Sequence, residues 1–163
     1  MDLSSFDLKD LLLAAIKSEK DSNELYSKIA KKTDNGLLKD KLNFLAKEEE
    51  NHRRFIEDIY SNHYPDEDLS IPRETPVPLP EIKMDEDTPV SRLLSQAMVA
   101  EKEASDFYKH LSSRFEDGSK IHNTLMYFSD METGHYKILE MEKNSMERYE
   151  EDDVYWPMVH AGP

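Results

Sequence analysis

Along most of the chain, apolar residues return every three or four positions, the repeat of a helix that buries one face. Two such segments, about 5–64 and 88–147, flank a stretch that carries six of the eight prolines, from Pro65 to Pro89. A helix cannot run through that stretch, because each proline lacks an amide donor and its ring collides with the preceding turn. Residues 65–87 therefore read as an extended linker, with Thr88 as an N-cap and Pro89 at the first helical position, where a missing donor costs nothing. Each segment has one turn signal near its middle. Asp34-Asn35-Gly36 and Glu116-Asp117-Gly118 each supply a glycine suited to the left-handed residue that ends a helix. The pattern predicts two helical hairpins, with helices at about 5–33, 37–64, 88–116 and 118–147.

The hairpins resemble each other. EKDSNELYSKIA from Glu19 aligns with EKEASDFYKHLS from Glu101 at an offset of 82, Gly36 and Gly118 share that offset, and the second helices align at 83. The expected fold is all-α: an antiparallel four-helix bundle in which a long Pro-rich crossover joins the second helix to the third. Residues 1–147 form that domain, linker included. The rest, 148–163, is a tail whose Tyr155, Trp156, Pro157, Met158 and Val159 are apolar enough to be expected to dock on the bundle or on a partner subunit, bringing His160 within possible reach of the site.

Steps of seven residues trace the buried seams, and at one level each helix places polar residues where apolar ones belong. The first helix runs Leu12, Glu19, Tyr26 and the third runs Leu94, Glu101, Tyr108. The second runs Leu42, Glu49, Ile56 beside Leu45, His52, Ile59, and the fourth runs Leu125, Glu132, Leu139 with His135 one turn past Glu132. Four carboxylates and two imidazoles should thus meet inside an apolar bundle. Desolvating one carboxylate costs several kcal/mol, and neighbouring like charges raise the cost further. Two divalent cations cancel four carboxylates, so the count suits a dinuclear site. Carboxylate oxygens with one imidazole per metal favour iron or manganese. The Glu-x-x-His spacing puts both side chains on one face, so that a single turn offers an oxygen and a nitrogen together. The alternative is a metal-free polar network, tolerable only if every group finds a partner.

Composition narrows the chemistry. The chain has 163 residues and no cysteine, which excludes thiolate-bound zinc, iron–sulfur clusters and thiol nucleophiles from it. With 21 basic and 35 acidic residues its net charge is −14, unsuited to a nucleic-acid backbone. Four glycines leave no Gly-rich phosphate loop, and the longest apolar run, Leu11 to Ile16, is too short to span a membrane. The cytoplasm is the expected compartment.

AIKSEKDSNELY, LAKEEENHRRF, MVAEKEASDFY and FSDMETGHYKIL, in this order, resemble the four metal-binding helices of ferritin-like di-iron carboxylate proteins, and among these the rubrerythrin group. The likeness covers about residues 5–147. It implies that Glu19, Glu49, His52, Glu101, Glu132 and His135 are metal ligands, with Glu49 and Glu132 bridging two irons, and that the chain is a homodimer. Manganese or a mixed pair fits the same donors, and neither haem nor an iron–sulfur cluster is implied. The sequence departs from the group in two respects. It lacks the cysteines of a rubredoxin domain, so an external electron donor is needed, and Ala104 stands where many members carry a further carboxylate.

Tyr26 and Tyr108 each follow an expected ligand by seven residues and are candidates to donate a hydrogen bond to a carboxylate, or simply core tyrosines. His63, His110 and His122 fall near helix ends or off the seams and receive no role; Glu48, Glu50 and the acidic run 150–153 read as solvated surface. The leading expectation is an oxidoreductase that reacts with dioxygen or hydrogen peroxide. A ferroxidase or iron-storage subunit, and a structural bundle without turnover, are the alternatives.

Overall fold

The computed structural model describes residues 3–75, 77, 79, 80, 85 and 87–155, with side chains to residue 148. Four helices account for the regular structure of these residues: α1 (Leu8–Lys32), α2 (Gly36–His63), α3 (Val90–Ser112) and α4 (Lys120–Tyr155). They pack as two hairpins, α1 along α2 and α3 along α4, which face each other across the core.

Local chemistry fixes most of the boundaries. The Asp7 carboxylate starts α1 by accepting from the Asp10 amide at 2.8 Å. At the first turn the structure departs from expectation. Gly36 does not adopt the left-handed conformation; it opens α2, while the Asn35 side chain accepts from the Leu38 amide at 3.1 Å. With Thr33 and Asn35 both extended, the chain reverses without a left-handed residue. Gly118 does take that conformation (φ 75°). There α3 ends at Ser112, earlier than expected, and the chain tightens into three-residue turns, Arg114 to Leu111 and Phe115 to Ser112. Ser119 then accepts from the His122 amide at 3.2 Å to begin α4.

Helix α3 also starts one position later than expected. Pro89, not Thr88, is the capping residue, and its carbonyl accepts from the amides of both Arg92 and Leu93. Thr88 is engaged in the linker instead: its hydroxyl accepts from the Asp85 amide and its carbonyl from Lys32. Helix α4 runs on to Tyr155, past the expected boundary at 147. Residues 156–163, with Trp156 and His160, lie outside the described residues, as do the side chains of 149–155, and with them the expected docking of the tail.

Every residue of the seams traced above is buried, from Leu12 to Tyr26 and from Leu125 to Leu139. The apolar core is divided in two. One cluster gathers Leu11, Leu12, Ile16, Ile56, Ile59, Leu111 and Leu125, closed off by Leu3 and by Val77 of the crossover. The other gathers Leu25, Ile29, Leu38, Leu42, Leu45, Leu93, Leu94 and Leu139. Each fully buried aliphatic side chain contributes about 1.5–3 kcal/mol, and this lets the fold carry a polar layer between the two clusters. The described part of the crossover thus packs on the bundle through Leu69, Ile71, Val77 and Leu79, and an ion pair joins Glu67 to Lys9. Lys41 pairs with Glu142 to tie α2 to α4.

Candidate metal centre

The polar layer consists of Glu19, Glu49, His52, Glu101, Glu132 and His135, each between 1 and 3% exposed. Helix α1 supplies Glu19, α2 supplies Glu49 and His52, α3 supplies Glu101, and α4 supplies Glu132 and His135. Their donor atoms form two overlapping groups, Glu19–Glu49–His52–Glu132 and Glu49–Glu101–Glu132–His135, each with all its atoms within 4.8 Å of one another. Glu49 and Glu132 belong to both.

The groups repeat one arrangement with little change. His52 Nδ1 faces Glu132 at 2.9 Å, Glu49 at 3.3 Å and Glu19 at 3.7 Å. His135 Nδ1 faces Glu132 at 3.1 Å, Glu49 at 3.2 Å and Glu101 at 3.6 Å. The two rings lie nearly parallel, 18° apart, with centroids separated by 6.0 Å. Both imidazoles therefore turn the same nitrogen toward the shared carboxylates. That follows from the three-residue spacing, which stacks His over Glu on one helix face.

The tyrosines close the arrangement crosswise. The Tyr26 hydroxyl donates to Glu101 and the Tyr108 hydroxyl to Glu19. Each reaches the glutamate of the opposite helix, not of its own, because seven residues advance a helix by about 10.5 Å. The crossed pairs, 19 with 108 and 26 with 101, also establish that α1 and α3 run antiparallel. Phe128 covers His52, its ring centroid 4.1 Å away. On the α3–α4 side, Ser105 donates to the Ser129 carbonyl at 2.9 Å and Ser129 to the Ser105 carbonyl at 2.8 Å. These small hydroxyl residues let the helices that carry Glu101 and Glu132 approach closely. Sequence reading passed over Phe128, Ser105 and Ser129, although their positions four residues before Glu132, four after Glu101 and three before Glu132 place them on the ligand-bearing faces.

Burial and mutual repulsion govern the charges. Burial and the charge of Glu49 push the Glu19 carboxyl well above the usual carboxylate range, and burial and Glu132 do the same to Glu101. Burial also opposes ionisation of Glu49 and Glu132, but the imidazoles of His135 and His52 hold both below that range. Burial would lower His52, yet the carboxylates of Glu132, Glu19 and Glu49 push it up to about 12. His135 rises likewise against burial, facing Glu101, Glu132 and Glu49. Burial and Glu19 raise the Tyr108 hydroxyl, which stays a donor. Burial thus favours the neutral form of Glu19 and Glu101, while the surrounding carboxylates favour the protonated form of both imidazoles.

Protons balance the charge but do not satisfy the atoms. Glu49 Oε1, Glu132 Oε1 and both nitrogens of His52 are buried without a hydrogen-bond partner. A buried acceptor left unsatisfied costs about 1–3 kcal/mol. The orphaned oxygens belong to the two shared carboxylates, and His52 Nδ1 lies 2.9 Å from one of them. This donor set fits a pair of cations. Among the described residues the other histidines stand apart: His63 bonds the Ile59 carbonyl, His122 the Ser112 carbonyl, and His110 is exposed. Glu50 pairs with Arg53 and Arg54 on the outer face.

A four-helix bundle with a buried layer of four glutamates and two histidines, divided into groups that share two carboxylates, defines the ferritin-like class of di-metal carboxylate proteins. The rubrerythrin family model matches residues 10–143, and the chain belongs to that family. A solved structure, that of a hypothetical protein from Pyrococcus furiosus, superposes with a TM-score of 0.78 at 30% identity, covering 91% of this chain and 95% of that one. No curated protein matches this chain. Among the described residues no helix is long and apolar enough to cross a membrane.

Proposed function

We propose that this chain is a non-haem di-iron oxidoreductase that reduces hydrogen peroxide or dioxygen with electrons from an external donor. One iron would be held by Glu19, Glu49, His52 and Glu132, the other by Glu49, Glu101, Glu132 and His135. The observation that carries this reading is the sharing of Glu49 and Glu132 between two otherwise separate donor groups. When bound, a pair of irons supplies the electrons that cleave an O–O bond. The protein supplies geometry and charge. Tyr108 and Tyr26 fix the orientation of Glu19 and Glu101, so each terminal carboxylate is held from across the bundle. The two apolar clusters exclude bulk water from either end of the layer, which strengthens every interaction within it.

The test is consumption of peroxide by the iron-loaded chain with a supplied reductant. Turnover should be lost in Glu49→Ala and Glu132→Ala and retained in a surface variant such as Glu140→Gln. Absence of consumption with every donor tried would defeat the oxidoreductase reading. A second reading, ferroxidase or iron storage, draws support from the net charge of −14, which focuses Fe²⁺ toward the protein. Aerobic titration with Fe²⁺ separates the two: uptake should stop near two per chain for the oxidoreductase and continue into a large assembly for storage.

A further inference from the structure

A cavity of about 130 Å³ lies between α1 and α3, beside the polar layer. It exists because the two helices face each other there with Ala14, Ala15, Ala100 and Ala104, too short to fill the space between the backbones. Leu79 and Pro80 of the crossover form its roof. Its inner wall includes Glu19 and Tyr108.

We propose that this cavity is a binding site for a small, predominantly apolar organic molecule of about benzene's size. Size comes first: an apolar protein cavity of about 150 Å³ stays dry and takes up benzene, whereas one water needs only about 10–15 Å³. The space is larger than a diatomic or a peroxide requires. Hydrogen-bonding capacity is the second argument. The Tyr108 hydroxyl is already committed to one oxygen of Glu19, which leaves the Ser18 hydroxyl and the second Glu19 oxygen as the polar groups of the inner wall that could meet a guest. Glu103 and Asp106 stand exposed at the rim, and the rest of the lining is mostly apolar: alanine methyls, Leu3, Phe107 and the crossover, with Ser18 as one further hydroxyl. The bound molecule rests against the Tyr108–Glu19 pair, and so against the α1 side of the candidate metal centre. Binding itself needs no metal and stands independently of the di-iron reading.

The full chain is titrated with benzene and with toluene, in metal-free and iron-loaded form, and followed by thermal melting and by proton NMR of the ring resonances. Saturable binding that raises the melting temperature is expected, with glycerol giving no saturable effect at the same concentrations. Ala104→Leu fills the cavity and should weaken benzene binding at least tenfold. Ala100→Val, a smaller filling, serves if the leucine variant does not fold, and should also weaken it. The proposal is overturned if neither aromatic binds saturably to the unsubstituted chain, or if binding is unchanged in a folded cavity-filling variant. Loss of peroxide turnover together with retained benzene binding would leave the cavity site standing and remove only the di-iron reading.

Discussion

The four glutamates of the layer do not carry equal weight. Glu49 and Glu132 serve both donor groups, Glu19 and Glu101 one each. Replacing Glu49 with Gln preserves volume while weakening both groups, so Glu49→Gln should reduce bound metal to well below one per chain. Glu19→Gln should retain about one, held by the group around Glu101 and His135; elemental analysis of the purified variants decides. Tyr108→Phe removes the hydroxyl that holds Glu19 and should lower metal affinity about 10–100-fold without changing the count, measured by competition with a chelator. All six layer residues were legible in the sequence: five interrupt a run of apolar residues at seven-residue spacing, and His135 follows Glu132 at the spacing that links His52 to Glu49. The partners of the tyrosines were not. A heptad step gives a side chain's level on its own helix but not the direction of the helix opposite, so the crossed pairing of Tyr26 and Tyr108 emerges only from the fold.

The two hairpin turns give a sharper lesson at the scale of elements. In sequence, Asp34-Asn35-Gly36 and Glu116-Asp117-Gly118 look alike, yet Gly118 alone has a positive φ. A Cβ at Gly118 meets no atom within 4 Å, but the backbone there strains any side chain. Gly118→Ala should therefore cost about 1–2 kcal/mol. Gly36 is equally unobstructed and helical, so Gly36→Ala should stabilise by about 0.5 kcal/mol through a less flexible unfolded chain. Asn35→Ala, which removes the cap, should cost about 1 kcal/mol. Chemical denaturation of the three variants measures all of these. The number, order and pairing of the helices were legible, since a proline-rich linker and an internal repeat mark them. The ends were less so: Asn35 and Thr88 could each cap or turn, and their tertiary partners decide.

For the molecule as a whole, the buried layer makes stability depend on pH with a definite sign. Glu19 and Glu101 keep protons when folded that the unfolded chain releases above about pH 4.5, so their contribution falls as pH rises. His52 acts in the same direction: its stabilisation is complete below about pH 6.5 and is lost as pH climbs toward about 12. Glu49 and Glu132, held low, contribute stability above about pH 4.5 that disappears in acid. Between pH 5 and 8 the layer thus destabilises the metal-free protein progressively. Metal ligation requires deprotonated carboxylates and neutral imidazoles, so metal binding should strengthen over the same interval. The difference in melting temperature between loaded and metal-free protein should widen from pH 5 to pH 8; a difference that narrows contradicts this charge assignment.

The donor set of this layer fits two cations. The most direct test is to purify the protein anaerobically with excess Fe²⁺, and separately with Mn²⁺, remove free metal, and measure metal per chain together with the melting temperature. About two tightly held ions per chain are expected, with a clear rise in melting temperature that is lost on chelation. A chain that holds none, and melts at the same temperature with or without either metal, would contradict this expectation.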